Sequence, residues 1–289
     1  QNKRNRFKKL KILITGANGL VGRSAQKIFY EKNIDFSIVS RIESFIPGIK
    51  RYKSLSHVDV KENYDILIHA SAATPNNANF ENIYHLNKKI DNELKEYIEN
   101  STIKHVFYIS TMAIYGEIKL PEISEHTISN DPNKYGLSKL EGEKTVSKIC
   151  ESKGIKLSIL RLPGVISQGM PPVFFKRAVQ NIACGDTITI RSFDSKFNNC
   201  IFVDDIALTI LNLFNEQILD HLILNLHSKD VVRIGEMLSF ISDKLQIKPL
   251  IKESLKCNPS FVITNKENGN LLITRSVKEC ISSFFKSFS

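Results

Sequence analysis

Short β-branched apolar runs alternate along the chain with longer amphipathic segments, the βαβα order of a parallel sheet covered on both faces. The runs predict strands at Lys11 to Thr15, Phe36 to Ser40, Tyr64 to Ala70, His105 to Ser110 and Lys156 to Arg161. Between them, apolar residues three and four apart predict helices over Leu20 to Glu31, Asn82 to Asn100 and Lys134 to Ser152. After Pro163 the pattern loosens. Pro171-Pro172 interrupts it, short strands are expected near Thr187 to Ile190 and Asn199 to Val203, and helices near Asp204 to Phe214 and Ile234 to Leu245. The C-terminal part is therefore expected to be smaller and less regular.

A length of 289 residues with 42% hydrophobic and 24% charged residues is that of an ordinary globular chain, not a disordered or disulfide-stapled one. The net charge of +10 narrows on inspection. Six positive charges, Lys3, Arg4, Arg6, Lys8, Lys9 and Lys11, fall within the first eleven residues, leaving +4 for the rest. Residues 1–10 read as a solvated basic leader, and no motif for duplex nucleic acid accompanies them. Leu10 to Leu20 is too interrupted by polar residues and glycine to be a signal peptide, and no stretch approaches the ~18 apolar residues of a membrane span. The five cysteines are odd in number, widely spaced and free of C-x-x-C, so neither a metal site nor a disulfide framework is expected and a cytoplasmic location fits.

Three segments carry chemistry. Thr15-Gly16-Ala17-Asn18-Gly19-Leu20-Val21-Gly22 follows a strand and opens a helix: Gly16 permits a tight turn, Gly19 lets backbone N–H groups approach a pyrophosphate, and Gly22 allows close helix–sheet packing. At the end of the second strand, where a carboxylate would select NAD, stand Ser40 and Arg41, which favour NADP, with NAD the alternative. Tyr135 and Lys139 lie four apart on a predicted helix, so phenol and ammonium are expected to share a face, the cation easing ionisation of a general acid or base. Ser110 to Gly116 lies at the carboxyl end of the His105 strand, the end at which open α/β sheets bind ligands.

Together these segments resemble the extended short-chain dehydrogenase/reductase superfamily of nucleotide-sugar epimerases, dehydratases and 4-keto-sugar reductases. Its landmarks also include His69-Ala70-Ser71-Ala72-Ala73 and Val203-Asp204-Asp205, so the resemblance spans residues 15 to 205. It implies a Rossmann-type, doubly wound α/β sheet with a smaller C-terminal substrate-binding lobe. Residues 11–163 would form the dinucleotide-binding and catalytic domain, and 164–289 mainly the lobe, with some segments returning to the core. It further implies Tyr135 as proton donor, Lys139 on the nicotinamide ribose, Thr111 as hydroxyl partner and Asn87 as a brace. Ala70, Ser71, Ala72 and Pro163 would line the cofactor, and Met112 and Arg191 would join Thr111 and Tyr135 around the substrate.

Related dehydratases carry Asp-Glu directly after the threonine; here Met112-Ala113 follow, which argues against elimination. With Ser40-Arg41, the sequence reading is an NADPH-dependent reductase of a ketone, the 4-keto group of a nucleotide-linked 6-deoxyhexose being the expected substrate. The alternatives are an NAD-dependent nucleotide-sugar 4-epimerase, a non-sugar carbonyl reductase and a non-catalytic dinucleotide-binding protein. Many relatives place an arginine five residues before the Val of Val-Asp-Asp to hold the substrate pyrophosphate, and this chain has Asn198 there. The resemblance also implies a homodimer formed through the Asn82 and Lys134 helices.

Overall fold

A computed structural model describes residues 10–287 apart from 76, 77, 80, 217–219 and 258, so the basic leader before Leu10 lies outside the described residues. Among the described residues seven strands form the central sheet: β1 (Ile12–Thr15), β2 (Phe36–Val39), β3 (Arg51–Tyr52), β4 (Ile66–His69), β5 (His105–Thr111), β6 (Lys156–Leu162) and β7 (His221–Asn225). Their order is β7-β6-β5-β4-β1-β2-β3, every pair parallel. The chain winds one way from β1 to β3 and the other way from β4 to β7. The switch therefore falls between β1 and β4, where Thr15 stands opposite His69, and its carboxyl side is where such sheets hold ligands.

Burial on both faces explains the near-continuous apolar strands. Ile12 and Ile14 point to one side, into a cluster with Ala25 and Phe29 of α1 (Leu20–Glu31). Leu13 points to the other side, among Leu94 and Ile98 of α2 (Ile83–Asn100) and Val146 of α3 (Lys134–Lys153). Each such side chain contributes about 1.5–3 kcal/mol by leaving water.

Beyond β6 the chain builds a second cluster from α4 (Phe174–Cys184), two-stranded pairings, α6 (Ile234–Leu245) and α7 (Val277–Lys286), with Phe175, Ile188, Met237 and Ile281 inside. Two elements from this region belong to the central unit instead: α5 (Val203–Asn215) packs against α1, and β7 extends the sheet beside β6. α7 opens on a capping box, Ser276 accepting from the Glu279 backbone N–H while Glu279 accepts from that of Ser276.

Candidate active site

The glycine loop turns directly from β1 into α1. Gly16 has φ +65°, and a Cβ there would stand 2.3 Å from the Ala70 carbonyl oxygen and 2.5 Å from the Ser71 nitrogen. Only glycine lets the loop lie this close to the segment leaving β4. Gly19 N–H donates to the Gly16 carbonyl at 2.9 Å and is the N-cap of α1 without any side-chain cap. The first N–H groups of α1 are thus left without a side-chain acceptor at the positive end of a helix, a cradle that fits the diphosphate of a dinucleotide. Leu20 and Val21 are half-buried behind it, and Asn18 ties it to β2 by donating to the Ser40 hydroxyl.

The end of β2 differs from expectation in one respect. Ser40 directs its own hydroxyl proton to the Ile42 carbonyl at 2.7 Å, so it closes the local turn rather than presenting a donor. Arg41 is exposed. The unforeseen residue is Arg51 on the two-residue β3, whose guanidinium donates to the Ser40 carbonyl at 3.2 Å and pairs with Glu43 at 2.7 Å. Two guanidiniums therefore stand near the end of β2.

Thr111 is the last residue of β5, and its hydroxyl accepts from the Ala113 N–H at 3.2 Å, capping the 3-10 turn Met112–Tyr115. The first turn of α3 rests on that same turn: a Cβ on Gly136 would meet the Ala113 carbonyl oxygen at 2.1 Å. Asn133 caps α3 by accepting from the Gly136 N–H at 2.9 Å. This contact brings the Tyr135 phenol toward the Thr111 hydroxyl, which draws its pKa down. Burial pushes the phenol's pKa up more strongly than Thr111 draws it down, so Tyr135 is an acid at neutral pH.

Lys139 has its hydrogen-bond partner on β5. Its ammonium, in a side chain 1% exposed, donates to the Tyr108 hydroxyl at 2.7 Å and sits 3.9 Å from the centre of that ring. A buried ammonium needs a hydrogen-bonded counter-group, and Tyr108 with Asp91 beyond it provides one that Tyr135 does not. Asn87, also buried, clasps the Ala73 backbone from both sides at 2.7 and 3.0 Å and donates to Ser138 at 2.9 Å, fixing the Ala70 to Ala73 segment to α3. Below Thr111, Arg161 of β6 forms a buried double contact with Glu143 at 3.2 and 2.8 Å and donates to the Tyr115 hydroxyl at 2.8 Å.

The description of the NAD dependent epimerase/dehydratase family matches residues 12–226, which include the glycine loop, Asn87, Thr111, Tyr135 and Lys139. The chain belongs to that family. Among curated proteins it is similar to the "Uncharacterized UDP-glucose epimerase YtcB" of Bacillus subtilis, 24% identical over 81% of this chain and 82% of that one. Among solved structures, the UDP-glucuronic acid 4-epimerase of Bacillus cereus in complex with NAD has a TM-score of 0.77 at 17% identity, covering 96% of this chain and 99% of that one. MoeE5 in complex with UDP-glucose and NAD has a TM-score of 0.76 at 17% identity, covering 96% and 100%.

Within this epimerase/dehydratase chain the substrate-side residues fare unevenly. Met112 is packed with Ile114, Tyr115, Ile123 and Ile263, because the turn it opens folds inward; it is core rather than a lining residue. Arg191 donates to the carbonyls of Leu255 and Cys257 at 3.3 and 2.9 Å, holding a lobe loop. Asn198 is buried, and its amide closes on both polar groups of the Ile263 backbone at 2.7 and 2.9 Å, which uses it up in the fold. Pro163 is half-buried where β6 ends. Among the described residues no group of three His, Cys, Asp or Glu side chains is arranged for a metal, and no helix is long and apolar enough to cross a membrane.

Proposed function

We propose that the protein inverts the C4 carbinol of a nucleotide-linked sugar by NAD(P)-dependent oxidation and re-reduction. The observation that carries this is the Tyr135 phenol set beside the Thr111 hydroxyl at the carboxyl end of β5, one strand from the switch point and its glycine cradle. Membership of the epimerase/dehydratase family and the relatives named as UDP-sugar epimerases support it. When bound, the dinucleotide would supply the hydride-accepting and hydride-donating carbon. Gly16, Gly19 and the start of α1 would hold its diphosphate and Lys139 its nicotinamide ribose. In its phenolate form, which the cationic oxidised dinucleotide would favour when bound, Tyr135 would take the proton of the sugar hydroxyl as that carbon is oxidised, and the phenol so formed would return it on reduction. The Thr111 hydroxyl donates to the same oxygen and shares its charge.

A second reading, an NADPH-dependent reductase of a nucleotide-linked 4-keto-6-deoxyhexose, is favoured by one feature. Arg41 and Arg51 stand by the end of β2, where Ser40 replaces the carboxylate that would select NAD. Replacing both arginines with Ala is expected to raise KM for NADPH about tenfold or more and leave that for NADH within about twofold; equal changes would remove the NADP preference. The epimerase reading expects a dinucleotide retained through purification and no net change in absorbance at 340 nm during turnover. Stoichiometric NADPH loss would place the enzyme with the reductases. The proposed homodimer would use α2 and α3, on which Leu86 and Leu137 are exposed; sedimentation equilibrium on Leu86→Lys with Leu137→Lys checks it, a dimer unaltered by both charges excluding that face.

A further inference from the structure

Asp91 sits on the buried stripe of α2 with Ile83, Asn87, Leu94 and Ile98, at 4% exposure. A carboxylate is costly to bury there unless it is paired and hydrogen-bonded. Both of its oxygens accept from the Tyr108 hydroxyl, at 3.0 and 3.1 Å. That hydroxyl in turn accepts from the Lys139 ammonium at 2.7 Å. On the other side the His69 ring lies parallel to Tyr108, centroids 5.7 Å apart, with its Nε2 3.7 Å from the carboxylate and its Nδ1 2.9 Å from the Thr15 hydroxyl. A line of polar groups therefore runs through the interior from Lys139 to the residue that precedes the glycine loop.

Helix α3 is shaped to admit this line. It carries Tyr135 and Lys139, and at its closest approach to the Tyr108–Asp91 pair it has Gly142. A Cβ at that position would stand 2.1 Å from the Tyr108 hydroxyl and 2.3 Å from an Asp91 oxygen. We propose that Asp91, acting through Tyr108, is the positioning residue that holds Lys139 inward and positively charged. Its functional consequence rests on the dinucleotide-binding reading, because Lys139 is the cation assigned there to the nicotinamide ribose.

The charged and titratable groups around Lys139 are Asp91 from α2, Tyr108 from β5, His69 from β4, and Tyr135 and Glu143 from α3 itself. Burial pushes the Lys139 pKa down, and Asp91 first, then Glu143, push it back up. Glu143 is already engaged by Arg161 and by the Ser110 hydroxyl. His69 stays neutral, burial and the Lys139 charge both lowering its pKa. Removing the Asp91 charge therefore lowers the pH at which Lys139 gives up its proton.

The test follows that proton directly. With lysines labelled by 13C at Cε, the Lys139 resonance is identified by its loss in Lys139→Arg and titrated by NMR. In Asp91→Asn it is expected to titrate at least about one pH unit below its position in the unaltered protein. Tyr108→Phe is expected to shift it the same way, and Asp91→Glu to restore it. In parallel, the pH at which Kd for NADH or NADPH begins to weaken is expected to move down in Asp91→Asn together with the lysine titration, and to return in Asp91→Glu. An unshifted lysine in Asp91→Asn, or in Tyr108→Phe should the former not fold, overturns the proposal, as does a lowered Tm with both pH profiles unchanged. If the unaltered protein binds neither dinucleotide, the cofactor reading fails, and the lysine titration alone decides the role of Asp91.

Discussion

Replacing Tyr135 with Phe is expected to lower kcat by about 10²–10⁴ while Kd for the dinucleotide stays within about twofold. The substitution removes one hydroxyl from a ring that stays packed at the start of α3. The cradle for the diphosphate lies on a different strand, at the turn from β1 into α1, and none of its contacts involves Tyr135. Binding and chemistry should therefore separate. Steady-state kinetics beside a fluorescence titration with NADH or NADPH measures both, and more than a tenth of the original kcat in the variant contradicts the role of Tyr135 as proton carrier. Thr111→Val is the companion change: Thr111 draws the Tyr135 pKa down, so its loss is expected to move the ascending limb of the oxidation pH profile upward.

The second large effect is expected from Gly16→Ala. Two penalties coincide at this residue, a φ of +65° and a Cβ forced within 2.5 Å of the Ala70–Ser71 backbone. Either the loop or the end of β4 must move, and both face the proposed cofactor. The expected outcome is a loss of about 2–5 kcal/mol in unfolding free energy and at least about 100-fold in dinucleotide affinity. Gly154→Ala supplies the contrast. Gly154 closes α3 at φ +64° with open space around it, so only the conformational penalty of about 1 kcal/mol applies and binding is untouched. Urea unfolding and a cofactor titration on the two variants check the pair, and similar losses in both would contradict the close approach as the cause.

Much of the sheet was readable because its strands are uniformly apolar: Ile12 to Ile14 and Ile66 to Ile68 are buried on both faces, and runs of that kind leave little choice of element. A parallel sheet covered on both faces followed from their alternation with α1, α2 and α3, and the doubly wound order from the family resemblance. The elements that escaped are those whose partners are distant. β7 finds its place only beside β6, some sixty residues earlier, and β3 is two residues long. Helix α4 follows Pro171-Pro172, where the apolar period had already broken.

The same distinction runs through the site. Thr111, Tyr135 and the glycines carry local signatures, and the fold sets the first two side by side. Arg51 and Tyr108 carry none, since their importance arises from neighbours on other elements. Asp91 did leave a trace: it occupies a position on the stripe Ile83, Asn87, Leu94, Ile98 where an apolar residue belongs. The inward turn of Lys139 follows from that one substitution of charge for hydrocarbon. Met112, Arg191 and Ser40 show the reverse case, residues of suitable chemistry that the fold consumes in packing, a lobe loop and a backbone turn.

The most direct test of the central claim is product analysis. The purified protein would be incubated with NAD or NADP and, one at a time, UDP-glucose, UDP-galactose and UDP-glucuronic acid, and the C4 configuration followed by proton NMR with absorbance at 340 nm recorded alongside. The proposed function predicts that at least one of these sugars reaches an equilibrium mixture of C4 epimers with no net change in absorbance, and that Tyr135→Phe does not produce it. Complete retention of C4 configuration in all three, by protein shown to hold its dinucleotide, would contradict it.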